Sequence, residues 1–112
     1  MVRLYPGSTK LISTGIAVHI ADPGIAAIIL PRSGLGTSGL VLANTVGLID
    51  ADYQGPIIVA AWNRSNHPID ITPGHKFAQM VFVPIIRPEF EVVSDFSVRT
   101  LRGSGGFGST GN

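Results

Sequence analysis

The chain has 112 residues, three histidines, no cysteine and a net charge of +1, and 45% of it is hydrophobic against 13% charged. That length is one domain's worth, and the composition supports a core and excludes a disordered chain. Scattered Lys and Arg leave no basic stripe for nucleic acid, the lack of cysteine excludes disulfides and thiolate metal sites, and no apolar stretch approaches the ~18 residues that span a membrane.

Fourteen glycines and eight prolines cut the chain into short β-rich segments. The first is LISTGIAVHIA (11–21), which sets Ile16, Val18 and Ile20 on one face and Ala17, His19 and Ala21 on the other. IAAIILP (25–31) is a continuous apolar run, suited to a strand buried on both faces. NTVGLIDADYQG (44–55) alternates like a half-buried strand but carries two acids and a phenol. PIIVAAWN (56–63), HPIDIT (67–72), KFAQMVFVPII (76–86) and FEVVSDF (90–96) complete the predicted strands. ADPG (21–24), RSNHP (64–68) and TPG (72–74) are turn signals between them. No stretch of 12 residues holds a helical apolar period free of Gly and Pro. Short strands separated by turns predict an all-β barrel or sandwich.

Three stretches carry polar chemistry. LPRSGLGTSG (30–39) is a Gly/Ser loop with one Arg; it lacks the Lys and spacing of a nucleoside-triphosphate P-loop and is not a dinucleotide fingerprint. Arg32, Ser33 and exposed amides there suit phosphate oxygens. RGSGGFGSTGN (102–112) is a flexible Gly/Ser tail by composition, with an Arg, hydroxyls and a lone Phe that has no core to join. The acidic segment offers Asp50 to orient a water, or to hold Mg²⁺ through its waters, and Tyr53 as a flat face for a sugar or base. His19, His67 and His75 lie far apart and form no metal-ligand motif. These features point to a phosphate-binding β protein with hydrolase chemistry. No signal-peptide pattern opens the chain, so the expected compartment is cytoplasmic.

PRSGLG (31–36), NTVGLIDADYQG (44–55), GHKFAQM (74–80) and RGSGGFGSTG (102–111) resemble, in order and spacing, the second to fifth motifs of the trimeric dUTPase family. STGIAVHIADP (13–23) resembles the family between motifs, and the likeness runs over essentially the whole chain. It implies a distorted jelly-roll β-barrel over 1–101 and a flexible Gly-rich arm over 102–112 that closes over the active site. It also implies a homotrimer with shared active sites and Mg²⁺-dependent cleavage of dUTP to dUMP and pyrophosphate, which limits uracil in DNA and supplies thymidylate synthesis.

By the same resemblance, Asp50 is the carboxylate that positions the attacking water, Tyr53 lies under the deoxyribose, and Asn44 with hairpin backbone around Gly47 reads the uracil edge. Arg32, Ser33, Gly34 and Gln79 contact phosphates. In the tail, Arg102 meets the γ-phosphate, Phe107 stacks on the uracil, and Gly108, Ser109 and Thr110 bind the terminal phosphates. Mg²⁺ is held by phosphates and water, with no direct protein ligand, and Asp52 is a structural turn residue.

The sequence departs from the family at two places that bear on the site. Its opening MVRLYPGSTKLISTG matches the segment after the family's first, Ala-Gly-x-Asp-Leu motif, so the barrel is expected to lack its N-terminal strands. Lys76 stands where the family usually has Arg, which keeps the charge and loses the planar fork. Two other functions share the resemblance: a non-catalytic or truncated nucleotide-binding relative, and a dCTP deaminase. The deaminase needs a glutamate at the base, and the only glutamates, Glu89 and Glu91, lie outside every motif.

Overall fold

The computed structural model describes residues 1–108, and its regular structure is almost entirely β-strand. In chain order they are β1 (Val2–Leu4), β2 (Thr9–Ala17), β3 (Ile25–Pro31), a one-and-a-half-turn helix α1 (Ser33–Ser38), β4 (Leu40–Leu42), β5 (Gly47–Ile49), β6 (Pro56–Asn63), β7 (Ile69–Ile71) and β8 (Ala78–Pro84). All pairings are antiparallel: one sheet has the order β2-β6-β4, a second β5-β3-β8, and β1 pairs with β7. This is the expected all-β, distorted jelly-roll arrangement.

One core joins the three layers. Leu4 from β1, Ile29 from β3, Leu40 and Leu42 from β4, Ile57, Val59 and Ala61 from β6, and Ile71 from β7 form a single buried cluster. The alternation along β6 drives this. Ile57, Val59, Ala61 and Asn63 point inward, while Ile58 points out. β3 lies between β5 and β8 and buries Ala26, Ala27 and Ile29, as its unbroken apolar run predicts.

The turn signals fall where they are expected. Asp22 closes the first turn, with its carbonyl accepting from Ile25 N at 3.0 Å and its carboxylate from Gly24 N at 2.8 Å. Thr72 O accepts from His75 N at 3.0 Å across Gly74, whose φ of +83° only glycine adopts freely.

Four local expectations are corrected. First, β2 ends at Ala17 rather than continuing to Ala21, and Ile16 is exposed. Gly15 at φ +77° and a register shift between Ser13 and Ala17 break the alternation there. Second, residues 33–38 are helical rather than loop. Third, 44–55 is not one strand or a paired hairpin. It folds back on itself, but β4 pairs with β6 and β5 with β3, in different sheets, and Asp50–Tyr53 is a turn. Fourth, FEVVSDF (90–96) forms no strand, and it pairs with none of the described strands. β1 and β4, three residues each, were not anticipated.

Beyond β8 the chain leaves the barrel. Phe90 is 90% exposed and Val92 98%, and Ile86, Phe96, Val98 and Leu101 are exposed with them. The radius of gyration is 19.1 Å, against about 13 Å for a compact domain of this length.

Candidate active site

The motif residues lie around the β5-β3-β8 sheet in two groups, one at the β3–α1 junction and the start of β8, the other at the two ends of β5. The first lies where β3 runs into α1 and β8 begins. β3 and β8 pair with Leu30 opposite Gln79 and Pro31 opposite Ala78. That register lets Gln79 Nε2 donate to Pro31 O at 2.9 Å and Arg32 Nη1 donate to Lys76 O at 3.1 Å. Arg32, Ser33 and Gly34 then line a small hollow of about 290 Å³ with Leu35 and Ser38. Ser33 and Gly34 are exposed, and α1 buries none of its residues. Arginine, hydroxyl and amide donors brought to one hollow can bind phosphate oxygens.

The second cluster lies on the other side of β3. Gly47 sits opposite Ile29, and a Cβ there would come within 3.1 Å of the Ile29 Cβ. A glycine is what allows β5 and the preceding loop to close onto β3. In that loop Thr45 has φ +62°, Thr45 N donates to Leu42 O at 3.0 Å, and Val46 N to Asn44 O at 2.7 Å, leaving Asn44 exposed at the tip. After β5, Tyr53 N donates to Asp50 O at 3.1 Å and closes a turn whose Ala51 is buried. Burying Ala51 turns Asp50 and Asp52 outward, and both are exposed.

Tyr53 is fixed more firmly than its 41% exposure implies. Its hydroxyl donates to Pro56 O at 2.7 Å, and its ring lies across Gly55, where a Cβ would meet the phenol oxygen at 2.5 Å. Neither Gly55 nor Pro56 stands out as a site residue in the sequence, yet the YQGP spacing, a glycine and a proline placed to receive a tyrosine ring, carries the signal for both supports.

Asn44, Asp50 and Tyr53 line neither hollow that Arg32 lines. The chain therefore brings Arg32, Ser33 and Gly34 to one hollow, while Asn44 and the Asp50–Tyr53 turn lie outside it. A larger groove of about 920 Å³ runs between the free edges of β2 and β8, with Ile12, Thr14, His75, Phe77 and Met80 among its walls.

The tail belongs to neither cluster. Arg102 Nε donates to Gly105 O within its own turn, and Phe107 is 115% exposed. Ser109 and Thr110 lie outside the described residues.

The clusters carry the same residues that drew the family resemblance, and comparison with known proteins agrees. The dUTPase family model matches residues 1–111. The deoxyuridine 5'-triphosphate nucleotidohydrolase of Shewanella denitrificans (strain OS217) is 59% identical over 111 residues, which cover 98% of this chain and 72% of that protein. The protein of the same name from Haemophilus influenzae (strain PittEE) is 58% identical over 110 residues, covering 97% and 72%. Among solved structures, a Staphylococcus bacteriophage 80alpha dUTPase with dUpNHpp superposes with a TM-score of 0.84 at 29% identity, covering 99% of this chain and 80% of that one. A mutant dUTPase from phage phi11 of S. aureus, whose structure concerns the coordination of a structural Mg(II) ion, superposes at 0.77 with 27% identity over 87% and 79%. The chain belongs to the dUTPase family.

Proposed function

We propose that this chain hydrolyses dUTP to dUMP and pyrophosphate. The observation that carries the reading is the Asp50–Tyr53 turn: an exposed carboxylate held beside an aromatic ring that is pinned over Gly55. A fixed ring under the sugar leaves no room for a 2′-hydroxyl and gives it no partner, which selects deoxyribose. Asp50, three residues before the ring, orients and deprotonates the water that attacks the α-phosphorus, and it contacts the 3′-hydroxyl. Asn44, with the backbone of the loop that Gly47 allows to close, reads the uracil edge. Arg32, Ser33, Gly34 and Gln79 take the phosphates. Arg32 and Gln79 suit this role because β3 and β8 already hold them together.

Mg²⁺ enters with the substrate. Among the described residues no group of three His, Asp or Glu side chains could hold a metal ion. Exposed Asp50 would face an ion carried by the triphosphate and its waters. Bound there, the ion neutralises charge on the phosphate oxygens.

The assembly is a homotrimer with shared active sites. Two observations support it: Asn44, Asp50 and Tyr53 lie outside the hollow that Arg32, Ser33 and Gly34 line, and the apolar side chains after β8 are exposed. Residues 1–101 are the barrel and 102–112 the arm that closes over a bound nucleotide. In that closed arm Arg102 exchanges its own-turn bond for the γ-phosphate, Phe107 stacks on uracil, and Gly108, Ser109 and Thr110 bind the terminal phosphates. The reaction limits uracil in DNA and supplies dUMP for thymidylate. Its place is the cytoplasm; among the described residues no helix is long and apolar enough to cross a membrane.

A pyrophosphate-release assay with dUTP, dCTP, dTTP and UTP in Mg²⁺ tests the reading. Release from dUTP alone is expected. Deamination of dCTP, or binding of a non-hydrolysable dUTP analogue by a chain that turns nothing over, would refute it.

A further inference from the structure

We propose that Asn63 and Ser65, in the connection between β6 and β7, are positioning residues for the phosphate-binding stretch 32–38. Through it they set how strongly the chain prefers a triphosphate to a monophosphate. The proposal rests on the phosphate role given above to Arg32, Ser33 and Gly34.

The argument starts from α1. It has six residues, none buried, and no side chain caps its N-terminus. A helix that short has little stability of its own, and one partly buried side chain, Leu35, packs it against the core. The rest of its placement comes from what it leans on at each end. At the start, Arg32 and Pro31 are tied to β8 through Lys76 O and Gln79. At the finish stands Gly39, at φ +113°, whose N–H closes the helix on Gly36 O at 3.1 Å.

Gly39 is clamped by the β6–β7 connection. Its carbonyl accepts from Arg64 N at 2.9 Å. A Cβ added to it would lie 2.6 Å from the Ser65 Cβ and 2.9 Å from Ser65 N. The end of α1 therefore rests directly on Ser65, with no slack between them.

Ser65 in turn is placed by Asn63, which is 0% exposed and is the buried polar side chain among the described residues. Its Oδ1 accepts from Ser65 N at 2.9 Å and from Ser65 Oγ at 2.7 Å. Its Nδ2 donates to Leu4 O at 2.9 Å and to His67 O at 2.6 Å. Its backbone adds two bonds to the β1–β2 turn, from Gly7 N at 2.7 Å and to Ser8 O at 3.0 Å. A buried amide with every donor and acceptor used has one orientation. Ser65 Oγ completes the set by accepting from His67 N at 3.2 Å.

The physical chain thus runs from the core, through Asn63, Ser65 and Gly39, to the exposed helix that presents Ser33 and Gly34. The cluster holding Asn44, Asp50 and Tyr53 shares none of these links. Loosening Ser65 should therefore weaken phosphate binding and leave nucleoside binding alone, a split that general loss of stability does not produce.

The test uses the full chain with Mg²⁺, α,β-imido-dUTP as the triphosphate probe and dUMP as the monophosphate probe. Ser65→Ala keeps the Cβ against Gly39 and removes both Oγ hydrogen bonds. It is expected to weaken α,β-imido-dUTP by about three- to tenfold and to leave the dUMP dissociation constant unchanged. Gly39→Ala, which strikes the same contact from the other side, should give the same split. If Gly39→Ala fails to fold, Ser65→Ala decides alone. A Ser65→Ala chain that melts earlier but keeps the wild-type ratio of the two constants overturns the positioning role and leaves the phosphate reading intact. A wild-type chain that binds both probes equally overturns the phosphate reading itself, and this proposal with it.

Discussion

The barrel and the segment that follows β8 are both rich in Ile, Val and Phe, and these side chains have opposite fates. In the barrel Ile29, Leu40, Ile57 and Val59 close on one another. After β8, Ile86, Phe90, Val92 and Phe96 are exposed. Both stretches read as strands, yet only one becomes a set of strands, because a strand needs a neighbouring edge to take its N–H and C=O groups. The contrast teaches that an apolar alternation specifies a need for burial and leaves open which surface meets it. For the arm, the proposed trimer supplies that surface from another protomer.

If chemistry belongs to the barrel and closure to the arm, damage to each should look different. The largest effect is expected at Asp50. Asp50→Asn should lower kcat by about 10²–10⁴-fold while calorimetry still detects binding of a non-hydrolysable dUTP analogue, since the change removes a base and little volume. Activity near wild type would show that the general base lies elsewhere.

The burial half of the comparison is sharpened by a pair of substitutions. Ile57→Ala empties a 2%-exposed core position and should cost about 2–5 kcal/mol by chemical denaturation. Phe96→Ser removes a comparable apolar side chain from the exposed segment after β8. It should leave the denaturation of isolated protomers unchanged and instead lower the trimer fraction in sedimentation velocity. Equal losses of protomer stability from the two would collapse the distinction.

Truncation after Leu101 isolates closure. Turnover should fall on the order of 10²-fold, the scale of losses from mispositioned substrate, with circular dichroism and melting temperature unchanged. Wild-type turnover without the tail would remove its role as a lid.

The smallest effect belongs to the one strong ion pair among the described residues. Arg3 Nε and Nη2 donate to the two Asp70 carboxylate oxygens at 2.7 and 2.9 Å, tying β1 to β7. The hydrogen bonds from Arg3 hold the Asp70 carboxyl below its ordinary 3.8, and the same pairing raises the Arg3 guanidinium further above the range in which it titrates. With the folded value depressed, the contribution is fully present above about the ordinary value and fades as pH falls below it. The pair is exposed, so its worth is small. Melting temperatures of wild type and Asp70→Asn should differ slightly at neutral pH and converge in acid; a gap that widens in acid would reverse the sign.

Much of this was legible in the sequence, for reasons that can be named. IAAIILP announced a doubly covered strand because nothing polar interrupts it, and β3 is covered by β5 and β8. ADPG and TPG announced turns because Asp closes an Asx bond and Gly accepts a positive φ. α1 was not legible, since a six-residue helix with no buried face has no apolar period to read. β1 and β4 were not, because three residues cannot show alternation. Nor was the support of α1 by Ser65, because it joins residues distant in the chain through space rather than at a fixed spacing.

The sequence alone determined the all-β class, the turn positions, the order of the motifs and through them the family, because each depends on residue type and local spacing. Only the tertiary structure decided that Asn44 and Asp50 fall at opposite ends of β5, outside the hollow that Arg32 lines, that β4 and β5 part into different sheets, and that the apolar side chains after β8 stay exposed. Those outcomes depend on which edges meet, and strand pairing is a property of the whole chain rather than of any segment in it.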